Sequence, residues 1–133
     1  MKYLLALIGD ESRYADRTPE QMREGMKEWD AFTRATTDAG AFVAGEGLQP
    51  SATATTVKIQ EAGEPIVTDG PFAETKEQLG GFYILDCKDL DEAISWAGRI
   101  PSLPHYGAVE VRPIMEFEPA PAANGTAAER AAS

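Results

Sequence analysis

The chain combines short apolar runs with a longer stretch in which apolar residues recur at helical spacing. Residues 3–8 and 80–87 are apolar at almost every position, which is typical of strands buried on both faces. Between them, apolar side chains recur at steps of three and four among charged ones, at Met22, Met26, Trp29, Phe32 or Thr33, and Thr36. This spacing predicts an amphipathic helix with one side on a core.

Both predicted helices have recognisable ends. The first is predicted over 19–40, because Thr18 suits an N-cap and Gly40 is a typical C-terminal glycine. The second begins after Asp89, in a sequence typical of a capping box, and stops at Pro101. Its predicted apolar face consists of Ala93, Ile94, Ala97 and Ile100.

Further segments have the composition of strands. Residues 53–60 are rich in threonine and β-branched side chains, and residues 65–68 follow a glycine-containing turn, so the two predict an antiparallel hairpin. Residues 41–44 predict a short strand before a glycine-punctuated loop over 45–50. The last strand is predicted over 108–117.

The predicted order is β-α-β(hairpin)-β-α-β, which is the split βαβ arrangement of ferredoxin-like α+β folds with an antiparallel sheet. Two helices cover only one face of such a sheet, whereas strands 3–8 and 80–87 are apolar on both faces. A monomer rarely leaves so large an apolar face in water. We therefore expect a homodimer through the sheet face. The alternative cover is the tail 118–133, whose composition favours disorder instead; the domain is predicted over 1–117.

Composition and charge exclude several classes of function. With 133 residues the chain fits one domain, and its net charge of −10 disfavours binding to nucleic acid or anionic lipid. No run approaches the about 20 apolar residues of a membrane span. The single cysteine, Cys87, forms no internal disulfide and is predicted to be a buried, inert thiol, which favours a cytoplasmic location.

The segment Asp69, Gly70, Pro71, Phe72 is the main candidate for chemistry. Its structural interpretation is a rigid turn, in which aspartate accepts backbone N–H bonds, glycine permits positive φ and Phe72 anchors the loop in the core. Its functional interpretation places the Asp69 carboxylate at the mouth of a cleft as a base or hydrogen-bond acceptor. Both interpretations stay open, since a rigid turn also aims a carboxylate.

Other candidates are weighed in the same way. His105 is either a surface or capping residue, or the proton carrier of any chemistry near neutral pH. Lys76, with Glu74 or Glu77, is either solvated surface or an anion contact. Trp29 is either core or cleft lining, and Arg112 pairs either with Glu110 or with a carboxylate in the cleft.

No metal or cofactor is indicated. Asp10 and Glu11 are adjacent carboxylates, but no third ligand follows at a recognisable spacing. The chain also lacks a P-loop, a GxGxxG motif, a GxSxG elbow and an HExxH motif.

The block over residues 67–83, VTDGPFAETKEQLGGFY, resembles the signature of the DGPF-domain branch of the YCII-related family. The similarity continues in order along residues 1–117, including segments 1–5, 45–48, 53–57 and 110–113. It implies a dimeric α+β barrel in which two ferredoxin-like sheets face each other. Related barrels often hold a small molecule or a catalytic site in the cleft between sheet and helices.

The resemblance leaves two functions open. The YCII branch shares a histidine and an aspartate, with the histidine on the first helix, whereas helix 19–40 contains no histidine and the chain has only His105. The first hypothesis is a small-molecule-binding dimeric barrel, an enzyme or not, with Asp69 as key carboxylate. Its ligand contacts would be Gly70, Pro71, Phe72, Glu74, Lys76, Trp29 and Arg112. The second is a non-catalytic accessory protein linked to transcriptional regulation, since DGPF-type proteins are often encoded beside alternative sigma factors.

Overall fold

The computed structural model describes residues 1–13, 15–101 and 107–117. These ranges contain two helices, α1 (Pro19–Asp38) and α2 (Leu90–Ala97), together with six strands, and 3₁₀ turns at Glu11–Arg13 and Ser51–Thr53. The strands are β1 (Lys2–Gly9), β2 (Phe42–Gly47), β3 (Thr55–Lys58), β4 (Ile66–Asp69), β5 (Gln78–Asp86) and β6 (Ala108–Pro113). In this described part, neither helix has the length and apolar character needed to cross a membrane.

Four strands form one antiparallel sheet in the order β2-β5-β1-β6, and β3 pairs with β4 in a separate two-stranded hairpin. The two central strands are the two apolar runs of the sequence. This arrangement confirms the predicted ferredoxin-like α+β fold. The predicted tail over 118–133 lies outside the described residues.

The edge strand β2 extends further than predicted, because segment 45–47 pairs with β5 instead of forming a loop. Glycine is required in these strands because atoms of the neighbouring strand approach closely. A Cβ on Gly45 would lie 2.7 Å from the Tyr83 ring, and one on Gly81 would lie 2.8 Å from the Glu46 carbonyl oxygen. These glycines therefore mark tight strand packing, and the ring of Tyr83 lies over β2.

The predicted first helix is confirmed at both ends. The Thr18 hydroxyl oxygen accepts a hydrogen bond from the Gln21 N–H at 3.1 Å, and the Gln21 side chain accepts one from the Thr18 N–H at 2.9 Å. This capping box satisfies two N–H groups that the helix leaves without partners. After the helix, Gly40 adopts a φ of +75°, which glycine reaches without strain.

The core lies between the two helices and one face of the sheet. Its largest fully buried side chains are Leu5, Leu85, Ile100 and Thr36. The buried Thr36 hydroxyl donates to backbone oxygens of its own helix, so its polar atom has partners. Rings from both helices meet β5 here, since Phe32 lies edge-on to both Tyr83 and Trp96.

Two predicted helix faces are partly wrong. On α2, Ile94 is 53% exposed and Trp96 is buried instead. On α1, Met22 and Met26 are exposed, so only the C-terminal half of the predicted stripe is covered. A helix as short as α2 is compatible with more than one choice of apolar face. The contact with the Phe32 ring determines that the face with Trp96 is the buried one.

The opposite face of the sheet is also apolar at its centre. Leu4 pairs in register with Ile84, and Ala6 pairs with Phe82. These four alternate with the core residues of β1 and β5, so they point away from the helices. All four are half-buried in the described protomer.

Candidate functional site

A cavity of about 1010 Å³ lies between α1 and the core side of the sheet. Most of its lining side chains are apolar: Leu7, Ile8, Ala15, Met26, Trp29, Phe42, Leu48, Pro50, Ile100, Ala108 and Val109. Its polar lining consists of Glu11, Ser12, Asp30, Thr33, Glu46 and Tyr83, with glycines of β2 and β5 completing the wall. A large apolar space with a few polar groups is the usual form of a small-molecule site.

Two hydroxyl groups meet inside this cavity. The Thr33 Oγ1 of α1 lies 3.1 Å from the phenolic oxygen of Tyr83 on β5, and either oxygen is able to donate. The Tyr83 ring is held by its neighbours, since it stacks on Trp29 with centroids 6.0 Å apart and has Phe42 at its edge. The hydroxyl pair is therefore fixed in position by aromatic packing.

The environment keeps the Tyr83 phenol protonated. Burial raises its pKa, the nearby Asp30 carboxylate raises it further, and the hydrogen bond with Thr33 lowers it to a smaller extent than burial raises it. A protonated phenol both donates and accepts a hydrogen bond. The pair thus offers a ligand a neutral polar anchor.

The carboxylate of Glu11 organises the end of the cavity beyond β1. Its two oxygens accept hydrogen bonds from the Ser51 N–H at 2.6 Å and the Ser51 hydroxyl at 2.7 Å. The Glu11 N–H also donates to the Gln78 side chain at 3.0 Å. Glu11 therefore ties the turn after β1 to the segment after β2 and to the start of β5.

The neighbouring Asp10 serves its own turn. Its carboxylate accepts from the side chain and the N–H of Ser12, and these hydrogen bonds lower its pKa, with smaller help from Arg13 and Lys76. Within the described ranges, no three histidine, cysteine or acidic side chains cluster closely enough to hold a metal ion.

Asp69 lies at the end of β4, exposed, opposite Thr55 of β3, and it does not line the cavity. Gly70 has a φ of +98°, as predicted for this turn. The turn is closed by the Gly70 N–H, which donates to the Ala54 oxygen at 2.7 Å, and by the Thr56 hydroxyl, which donates to the Gly70 oxygen.

The expectation that Phe72 anchors this loop in the core is wrong for the protomer, because the ring is 85% exposed. Backbone hydrogen bonds of the turn hold the loop instead, and Pro71 is half-buried beside it. The other two candidates of this segment, Glu74 and Lys76, are exposed.

The remaining predicted site residues divide between the cavity and the surface. Trp29 lines the cavity and also packs against the core. Arg112 forms an ion pair with Glu110 on β6 and does not line the cavity. His105 lies outside the described residues, so the pairing of Asp69 with His105 stays a prediction.

Sequence reasoning missed three polar residues on the cavity side, namely Asp30, Thr33 and Tyr83. Asp30 and Thr33 lie on α1, and their meeting with Tyr83 depends on how α1 lies across β5. The residue that could have indicated the cavity from the sequence is Tyr83. It lies on a strand near Gly81, and the neighbouring edge strand also contains glycines, which indicates that an aromatic ring occupies the space left by missing side chains.

Comparison with known proteins agrees with the described fold. Residues 1–118 match the family model of the YCII-related domain. An uncharacterized protein from Rhizobium meliloti (strain 1021) is similar along nearly its whole length, with 40% identity over 120 residues that cover 90% of this chain and 96% of the relative. The chain belongs to the YCII-related family.

Proposed function

We propose that this protein binds a small, largely apolar organic molecule in the cavity between α1 and the sheet, and that it does so as a homodimer. The observation that carries the proposal is the cavity of about 1010 Å³ with the Thr33–Tyr83 hydroxyl pair inside it. Pockets for drug-sized ligands have volumes of roughly 300–1,000 Å³, an apolar lining and a few placed polar groups. The cavity meets each of these criteria.

The packing around the hydroxyl pair supports binding more than a purely structural role. Thr33 and Tyr83 both belong to the cavity wall, although Tyr83 is only 7% exposed. The stacked Trp29 ring provides an apolar surface next to the pair. A ligand that places its ring or chain on Trp29 reaches the Tyr83 hydroxyl with its polar end.

The homodimer is supported by the second apolar face of the sheet. Leu4, Ala6, Phe82 and Ile84 form two adjacent rows across β1 and β5, on the side away from both helices. A second copy brings the same rows to the same face, which is the self-complementary arrangement of a two-fold interface. Burial of these rows would then stabilise the dimer through the hydrophobic effect.

Catalysis remains a narrower part of the proposal. Asp69 stays the candidate carboxylate and His105 the candidate proton carrier, but Asp69 lies outside the cavity of its own protomer. A reaction on a cavity ligand therefore requires Asp69 from the partner copy or a different base. Asp69→Ala tests this directly: binding is retained and any turnover is lost if Asp69 acts chemically.

Ligand binding is tested by screening small organic molecules for thermal stabilisation and for line broadening in ligand-observed NMR. The variant Gly47→Leu places a side chain in open space on β2, where a Cβ would meet no atom within 4 Å, and it fills part of the cavity. We expect it to abolish the stabilisation. The matched control, Ala31→Leu, adds the same bulk to the exposed side of α1 and should bind as the parent does. Equal binding by both variants would overturn the cavity site.

The dimer is tested by sedimentation at micromolar concentration. Phe82→Glu puts a charge on the apolar sheet face and should shift the protein to a monomer. Ile94→Glu adds the same charge on exposed α2, on the helix side, and should leave the dimer intact. A parent protein that sediments as a monomer would remove this part of the proposal.

A second candidate function is favoured by one observation. The β3–β4 hairpin and the following loop expose apolar side chains, namely Val57, Ile59, Ile66, Val67 and Phe72. Such a surface fits the accessory role, in which the protein contacts a regulatory partner and has no chemistry of its own. A defined heteromeric complex that is lost in Phe72→Ser but retained in Gly47→Leu would favour this candidate.

A further inference from the structure

The polar lining of the cavity has one sign of charge. Among the lining residues of the described part, three are acidic, Glu11, Asp30 and Glu46, and none is lysine, arginine or histidine. Glu46 contributes its backbone to the wall, because it pairs in register with Phe82, whose side chain lies on the sheet face away from the helices. The carboxylates on the cavity side are therefore those of Glu11, after β1, and Asp30, on α1.

These two carboxylates differ in what they already bind. Glu11 accepts two hydrogen bonds from Ser51, so much of its acceptor capacity is used. Asp30 is exposed, and in the described ranges it forms no ion pair and no side-chain hydrogen bond. It also lies near enough to Tyr83 to act on its hydroxyl electrostatically. Asp30 is therefore the carboxylate left to contact a ligand.

The aromatic pair beside Asp30 has the complementary character. Trp29 and Tyr83 stack with an interplanar angle of 18°, and both rings line the cavity. The faces of aromatic rings attract cations, and tryptophan does so most strongly. Carboxylates and aromatic faces around one apolar space are the usual combination for recognising an organic ammonium group.

We propose that the cavity selects a small organic cation, an amine with an aromatic or alicyclic body, over neutral and anionic molecules of the same shape. This inference rests on the proposed binding function and names its ligand class. The ammonium group lies beside the Asp30 carboxylate and the Trp29 ring, and the apolar body lies against Leu7 and Val109. A carboxylate ligand in that position meets the like charge of Asp30 and has no cationic partner among the described lining residues, so it is rejected.

The test uses three probes of one shape that differ only in charge: 3-phenylpropylamine, 3-phenylpropan-1-ol and 3-phenylpropionate. Each is titrated into the full-length protein at physiological ionic strength, and dissociation constants are taken from chemical-shift changes. We expect the amine to bind most tightly, by roughly tenfold over the alcohol, and the carboxylate most weakly. Screening by salt limits the contribution of the overall negative charge of the chain.

Variants locate the effect. Asp30→Asn should reduce the advantage of the amine over the alcohol several-fold while alcohol binding stays unchanged. Glu46→Gln removes a charge from the opposite face of the sheet and should leave that advantage intact. Glu28→Gln removes the same charge from exposed α1 outside the cavity and should change neither constant. A loss of the amine advantage in Glu28→Gln equal to that in Asp30→Asn would overturn the inference, since the attraction would then be general.

The outcomes separate this inference from the function on which it rests. Equal binding of amine and alcohol, abolished by Gly47→Leu, would overturn cation selection and leave the cavity site standing. Tighter binding of 3-phenylpropionate would do the same. Amine binding that survives Gly47→Leu would overturn both, because the probe would then be bound outside the cavity.

Discussion

The four-stranded sheet and the β3–β4 hairpin contain similar side chains in opposite environments. On β5, Tyr83 and Leu85 are 7% and 0% exposed, whereas Val57 and Val67 of the hairpin are 54% and 63% exposed. Both regions read as strands because both are rich in apolar and β-branched residues. The difference shows that strand propensity does not determine whether a strand acquires a core.

The two regions also differ in the strands and helices that pack against them. The sheet joins β5 to two neighbouring strands, and helices cover one of its faces. The hairpin has one four-residue pairing, closed at Gly70 by hydrogen bonds with Ala54 and Thr56. An isolated two-stranded hairpin is marginally stable in water. Its apolar side chains therefore gain stability only when another surface covers them.

The largest expected effect is the loss of a core side chain. Leu85→Ala removes a fully buried side chain and should lower the free energy of unfolding by about 2–5 kcal/mol. Val57→Ala removes an exposed one from the hairpin and should lower it by about 0.5 kcal/mol or less. Urea unfolding at low protein concentration measures both values.

The same pair of variants also tests what covers the hairpin. If Val57→Ala costs as much as Leu85→Ala even in dilute solution, the contrast between the regions is absent. If its cost grows with protein concentration, the hairpin takes part in an interface between copies.

A second contrast concerns glycines with positive φ. Gly107 precedes β6 with a φ of +97°, and a Cβ there would lie 2.4 Å from the Ile8 carbonyl oxygen. Gly63 is in the hairpin turn with a φ of +91° and has no atom within 4 Å of that position. Gly107→Ala should therefore destabilise the protein by about 3 kcal/mol, and Gly63→Ala by about 1 kcal/mol. Similar melting temperatures for the two variants would contradict this difference, and would show that the backbone before β6 shifts to make room for the Cβ without loss of packing.

Local signals were sufficient for much of the fold. Thr18 and Gly40 delimit α1 because capping depends on neighbours in the chain. The two-faced apolar strands became the sheet centre, since only central strands have partners on both sides and side chains on two faces to bury. The family resemblance of the segment around Asp69 reached the same fold.

The site was less accessible to sequence reasoning because it depends on distant residues. Thr33 and Tyr83 are 50 positions apart, and their hydroxyl groups meet only when α1 lies across β5. Phe72 was predicted to anchor its loop and Met26, from its helical spacing, to lie on the covered side of α1. Both are exposed, because burial also needs a neighbour in the right place. Asp69 belongs to a recognisable turn sequence, whereas nothing in the local sequence distinguishes Asp30 from the other charged residues of the helix.

The smallest expected effect is a dependence of stability on pH, which the four-stranded sheet should show and the hairpin should not. Burial raises the pKa of Tyr83 in the folded chain above the value of about 10 for an exposed tyrosine. The protonated phenol therefore contributes its full stability below about pH 10, and that contribution is lost as pH rises through the folded-state pKa. No tyrosine lies between residues 55 and 69, so the hairpin adds no such dependence.

Tyr83→Phe isolates this contribution. At neutral pH it should be less stable by about 1 kcal/mol, because Thr33 loses a hydrogen-bond partner. Above about pH 10 the parent should lose stability more steeply than the variant, so the two curves converge. The Cys87 thiol, whose pKa burial also raises, is present in both proteins, so its effect cancels in the difference. Parallel curves in urea unfolding from pH 8 upward would mean that the Tyr83 phenol is solvated in the folded protein, and the cavity would then lack its fixed neutral anchor.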